Sequence, residues 1–100
     1  MATALTSKQR RFLRSRAHDL HPVVQVGEAG ASEAVVAAAE EALAHHELIK
    51  VRFQLGDKAE RREMVEALCN GTGAELVQEI GRIAVLYRPA EEPVIQLPGD

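Results

Sequence analysis

Gly27 and Gly30 bracket Glu28 and Ala29 at the point where an apolar run, Pro22-Val23-Val24-Gln25-Val26, gives way to a helical pattern. Neither glycine carries a side chain, so a Gly-x-x-Gly loop turns sharply and lets another backbone come close. Ser32 follows as an N-cap residue, and a helix starting there aims its unpaired N–H groups and positive dipole end over the loop. Such a place favours an anion, most commonly a phosphate. The same four residues also suit an ordinary turn, so the motif needs a companion. Lys8, Arg10, Arg11 and Arg14 provide one: no Asp or Glu stands between Ser7 and His18 to pair with them. Lys50 and Arg52 add two further cations. A cationic face of this kind suits a polyanion, although many surface helices carry a charged face that is merely solvated.

Other chemistry finds little support. His18 and His21, and the adjacent His45 and His46, have no Cys or acidic residue at a spacing that completes a metal site, so no metal is expected. The loop lacks the Gly-Lys-Ser/Thr ending of a nucleotide-binding P-loop and the third glycine of a dinucleotide fingerprint, so no cofactor is expected either. Glu40 and Glu41 are consecutive on a helix and diverge, which removes them as an acid/base pair. No nucleophilic triad can be argued from spacing. The chain reads as a binding module rather than an enzyme, with no small-molecule substrate.

Composition agrees. Of 100 residues, 46% are apolar and 27% charged, an ordinary globular balance in one domain. The single Cys69 precludes an internal disulfide and suits core packing. No apolar run reaches membrane-spanning length and no signal-peptide centre is visible, so a cytoplasmic protein without a membrane partner is expected. The net charge of −3 would argue against nucleic acid if it were evenly spread. It is not: residues 1–30 hold five basic and two acidic residues, net +3, and the remaining seventy hold seven against thirteen, net −6. Only three aromatics occur, Phe12, Phe53 and Tyr87, and two read as core, so base stacking is not the expected mode. Recognition of folded RNA by shape and backbone is the better match.

The elements that must position these residues follow from periodicity. Thr6 with Gln9 forms a capping box for a helix from Ser7 to about His18, with Phe12, Leu13, Ala17 and Leu20 on its packing side. His21-Pro22 ends it and the strand at Pro22–Val26 follows. An Ala-rich amphipathic helix runs from Ser32 to about His46. The clearest strand spans 48–55, where Ile49, Val51, Phe53 and Leu55 alternate with Lys50, Arg52 and Gln54. A third helix extends from Lys58 to about Asn70, and 74–80 and 82–87 form a hairpin about Gly81. The domain therefore covers 1–89, and residues 90–100, with two prolines, three acids and few core candidates, are expected to be a loosely held, flexible acidic tail. The order α-β-α-β-α-β-β implies an α/β domain with a four-stranded mixed sheet covered by helices.

Four blocks in matching order, Leu5–Arg14, His21–Gly27 with Gly30, His46–Arg52 and Ile80–Arg88, resemble the YhbY-type, or CRM-domain, RNA-binding proteins. The resemblance implies a fold like the C-terminal domain of the third bacterial translation initiation factor. It also implies a non-catalytic bacterial protein that binds ribosomal RNA or precursors of the large ribosomal subunit during ribosome assembly. On that reading Gly27, Glu28, Ala29 and Gly30 form the family's loop, and Lys8, Arg10, Arg11 and Arg14 its cationic face, with Lys50 and Arg52 as further candidates. Glu28 departs from the pattern, since relatives commonly carry a basic residue there. Either it points away, leaving contact to the backbone, or the helix carries more of the binding. The competing reading is a protein-interaction module whose cationic helix docks on an acidic protein partner.

Overall fold

The computed structural model describes residues 5–99. Thr6 and Gln9 do form a capping box, each side chain meeting the other's backbone N–H at 3.1 Å, and α1 spans Ser7–Ala17. β1 (Pro22–Val26) leads to α2 (Glu33–His46), capped by Ser32, whose hydroxyl accepts the Val35 N–H at 3.3 Å. Next come β2 (Leu48–Phe53) and α3 (Lys58–Thr72), the latter opened by a second capping box between Asp57 and Glu60. β3 (Glu75–Ile80) and β4 (Ile83–Tyr87) close the chain's regular structure. Gly81, at φ +55, takes the first central position of their two-residue turn, where the twist of a hairpin favours a positive φ.

The sheet order is β1-β2-β4-β3, with β1 parallel to β2 and the other neighbours antiparallel. This is the expected α-β-α-β-α-β-β architecture with a four-stranded mixed sheet. Strand alternation divides the core in two. Val24 and Val26 of β1, Ile49, Val51 and Phe53 of β2, and Ala84 and Leu86 of β4 pack on α2 and α3. Leu48, Val77, Val85 and Tyr87 face the other way, onto Leu13 and Ala17 of α1. One helix spans about 10 to 12 Å and strands lie about 4.8 Å apart, so α1 cannot cover four strands. It packs on β2, β3 and β4 and leaves part of that face open.

Two boundaries differ from expectation. β2 ends at Phe53 rather than Leu55, because the Gln54 N–H bonds Val26 and its carbonyl accepts from Arg82; Leu55 is then left half exposed. α3 runs two residues past Asn70, since Gly71 fits inside it against Val36: a Cβ there would lie 2.8 Å from Val36 Cγ1. Gly73, at φ +77, is the residue that ends the helix.

The larger correction concerns the last stretch. Ile95 is buried and Leu97 packs beside it in the α1 cluster, so the stretch after Pro89 is pinned at these two residues rather than loosely held throughout, while Glu91, Glu92 and Val94 stay exposed and Asp100 lies outside the described residues. The anchor is Glu47, the C-cap of α2, buried and held at φ +62. Its carboxylate accepts N–H bonds from Ala90 at 2.8 Å, Val94 at 2.9 Å and Ile95 at 2.8 Å. Burial pushes the Glu47 carboxyl up, but the three backbone donors outweigh it and hold it below the ordinary carboxyl range. Gln9 adds a bond to the Pro98 carbonyl at 3.2 Å.

Candidate nucleic-acid interface

The face that α1 leaves open is graded along β2. Leu48 is buried, Lys50 half-buried and Arg52 exposed. α1 covers the Leu48 end, and the Arg52 end is free. Because β1 runs parallel to β2 with Val26 beside Phe53, the Gly-x-x-Gly loop leaves the sheet at that free end. The Gln54 side chain lies next to Gly27 and donates to Gln25 Oε1 at 2.7 Å. Across β2, the Arg82 guanidinium donates to the Gln54 carbonyl at 3.0 Å. A polar strip therefore runs from the loop through Gln25, Gln54, Arg52 and Arg82 toward α1.

The strip meets the helix in a cleft. Arg14 and His18 form one wall, Lys50 its floor, and Gln78, Ile80 and Ile83 the other side, enclosing about 250 Å³. Arg11 and Ser15 continue the groove outward. The Lys50 ammonium donates to the His18 carbonyl at 3.4 Å, at the C-terminal end of α1 where the helix dipole favours a cation. Lys8, Arg11, Arg14 and Arg52 are exposed, and no carboxylate of the described residues lies in ion-pair reach of them or of Lys50. The two ion pairs found, Arg62 with Glu79 and Arg88 with Glu40, sit elsewhere.

Arg10 is placed differently from its neighbours. Its guanidinium donates to the Leu76 and Val77 carbonyls of β3, the outer strand, and it is half-buried. The basic run thus divides into one residue tied to the sheet and three that face solvent. Arg16, on another flank of α1, stacks over the Phe12 ring at 5.6 Å.

The loop itself is a hydrogen-bonded turn in which the Gly30 N–H meets the Gly27 carbonyl at 3.0 Å. Gly30 has φ +66, which disfavours any side chain, and Ser32 N–H bonds its carbonyl at 2.9 Å. Gly27 lacks such a constraint: its φ is ordinary, and a Cβ would meet only Gln54 Oε1, at 3.6 Å. Glu28 and Ala29 are exposed at the tip, and their N–H groups have no partner among the described residues.

Periodicity puts His18 on the cationic side of α1 and Gln54 on the Lys50 and Arg52 side of β2, but nothing local joins Arg82, Gln25 and Gln78 to this surface. Gly81-Arg82 was legible as a turn, but its position beside β2 depends on strand order. Phe53 and Tyr87 are buried and Phe12 is half-buried beneath Arg16, so none of the three aromatics offers an open stacking face. Burial, with Glu75 and Glu66 nearby, pushes the Cys69 thiol up to about 11, which leaves it almost wholly protonated near neutrality. Among the described residues no cluster of three His, Cys, Asp or Glu could hold a metal, and no helix is long and apolar enough to cross a membrane.

Comparison with known proteins bears on this surface. Residues 5–88 match a family model described as the CRS1 / YhbY (CRM) domain. The chain is 49% identical over 96 residues to a Haemophilus influenzae protein named "RNA-binding protein", covering 96% of this chain and 97% of that one. It is 43% identical over 95 residues to "Probable RNA-binding protein YqeI" of Bacillus subtilis, covering 94% and 99%. The solution structure of a hypothetical protein from Staphylococcus aureus superposes with a TM-score of 0.82 at 40% identity, covering 95% of this chain and all of that one.

Proposed function

The chain belongs to the CRS1/YhbY (CRM) domain family, and from that premise we propose that it binds folded RNA, without catalysis, through the surface just described. The observation that carries the reading is the continuity of unpaired cations, from Arg11 and Arg14 across the Lys50 cleft to Arg52, ending at a loop with two free backbone N–H groups. Phosphates along an RNA backbone meet the cations, and one or two enter at Glu28 and Ala29 N–H. The open conformation at Gly27 gives a ribose or phosphate room to approach. Glu28 repels a phosphate through its side chain, so the loop contributes by backbone and α1 supplies most of the affinity. α2, with Glu33, Glu40 and Glu41 and no Lys or Arg, keeps RNA off the opposite face.

Ribosomal RNA, in precursors of the large subunit assembling in the cytoplasm, is the proposed partner. Its test is binding to purified large-subunit ribosomal RNA fragments and to a length-matched acidic polymer across a salt series. If six phosphates are engaged, log affinity falls against log salt with a slope of about −4 to −5. Tighter binding to a structured fragment than to the polymer is expected. Equal, weak binding to both would overturn the reading and favour an acidic protein partner for α1.

A further inference from the structure

Leu20, Val23 and Val94 are large apolar residues that stand 37%, 53% and 82% exposed, and all three line one groove. Ile95, Leu48 and Ile49 complete its apolar floor, and it encloses about 530 Å³, room for two or three side chains. The rim carries hydrogen-bond donors and one cation: the Arg16 guanidinium on α1, His21 before β1, and His45 and His46 at the end of α2. The one carboxylate in the lining, Glu47, is spent on three backbone N–H groups of the docked tail. The groove therefore combines an apolar floor with a rim that carries no uncommitted acid.

We infer that this groove, between the start of β1, the end of α2 and the docked tail, is a docking site for a protein segment in which apolar side chains alternate with carboxylates. Burying Leu20, Val23 and Val94 rewards the apolar positions. Arg16 and the imidazole N–H groups of His21 and His46 meet the carboxylates between them, the His45 Nδ1–H being given to the Glu41 carbonyl. RNA is the poorer occupant, because the apolar floor offers a phosphate backbone nothing. The site also lies across α1 from the cleft: Arg14 and His18 line one and Arg16 and Leu20 the other. RNA and the protein segment can then be held at once, which makes the domain a connector. This inference stands on the groove alone and does not depend on the RNA reading.

The test is titration of the isotope-labelled full chain with a 12-residue peptide of alternating Leu and Asp, followed by amide shifts. Two controls of equal length replace Leu by Ser or Asp by Lys. Shifts at Leu20, Val23, His46 and Val94, with Gly27 and Arg52 unmoved, are expected. V23D and V94D change exposed positions and should each weaken binding at least fivefold, whereas R11E/R14E should leave it unchanged. Absence of shifts at millimolar peptide, equal binding of the Ser/Asp control, or displacement of the peptide by an RNA fragment would overturn the proposal.

Discussion

The two faces of the sheet are covered unequally. On one, α2 and α3 lie side by side over Val26, Ile49, Val51, Phe53 and Leu86, and β3 joins them through the partly buried Leu76. On the other, α1 is held by two fully buried residues, Leu13 and Ala17, and the tail adds Ile95. Two helices saturate a four-stranded face and one cannot, so the second face must keep polar side chains where the cover runs out. Lys50, Arg52, Gln25 and Gln54 occupy those positions. The face that is hardest to cover is the one proposed to bind RNA, and on the other face α2 carries Glu33, Glu40 and Glu41 with no Lys or Arg.

Substitutions can break this division in order of size. Phe53→Ala strikes the covered face and should cost about 3–5 kcal/mol, enough to leave a small domain marginal in urea denaturation. R11E/R14E, on the open face, should change stability by less than about 0.5 kcal/mol, yet lower RNA affinity by about 100-fold at low salt and flatten the salt slope by about 2. Loss of stability comparable to Phe53→Ala would show that α1's cations hold the fold.

Two glycines sharpen the same contrast. Gly71→Ala places a methyl 2.8 Å from Val36 in the covered layer and should destabilise by about 1–3 kcal/mol in thermal melts. Gly27→Ala meets only a flexible glutamine and should stay within about 0.5 kcal/mol of the parent, while weakening RNA binding several-fold. Unchanged RNA affinity for Gly27→Ala would reduce the loop to a turn.

The most local effect belongs to the tail. The Glu47 carboxyl is lowered in the folded protein, so its contribution is fully present above the ordinary value of 4.5 and is lost as pH falls through the folded value. Glu47→Gln should remove about 1–2 kcal/mol of that anchoring at neutral pH. Faster hydrogen exchange at the Val94 and Ile95 amides, with the sheet unaffected, would report it. Acid should do the same to the parent protein before its core unfolds.

Much of the architecture was legible because it is local. The Thr6/Gln9 box, the Ser32 cap, the alternation through Ile49, Val51 and Phe53, and the Gly81 turn each act within a few residues. Hidden features involve partners far apart in the chain. Arg10 reads like Arg11 until β3 places the Leu76 carbonyl beside it, 66 residues away. Glu47 reads as an ordinary polar residue until it meets Ile95, 48 residues on. Gly71 looks like a helix stop until Val36 packs on it.

Periodicity, caps and turn residues thus determined the seven elements, their order and the cationic character of the N-terminal helix, since those depend on torsions and neighbours within one or two turns. The tertiary structure decided which cations stay free, where the open strip meets the Gly-x-x-Gly loop, and that the tail docks. Those outcomes depend on strand order and on how much of each face a helix can cover, and neither quantity is written in any local stretch of the chain.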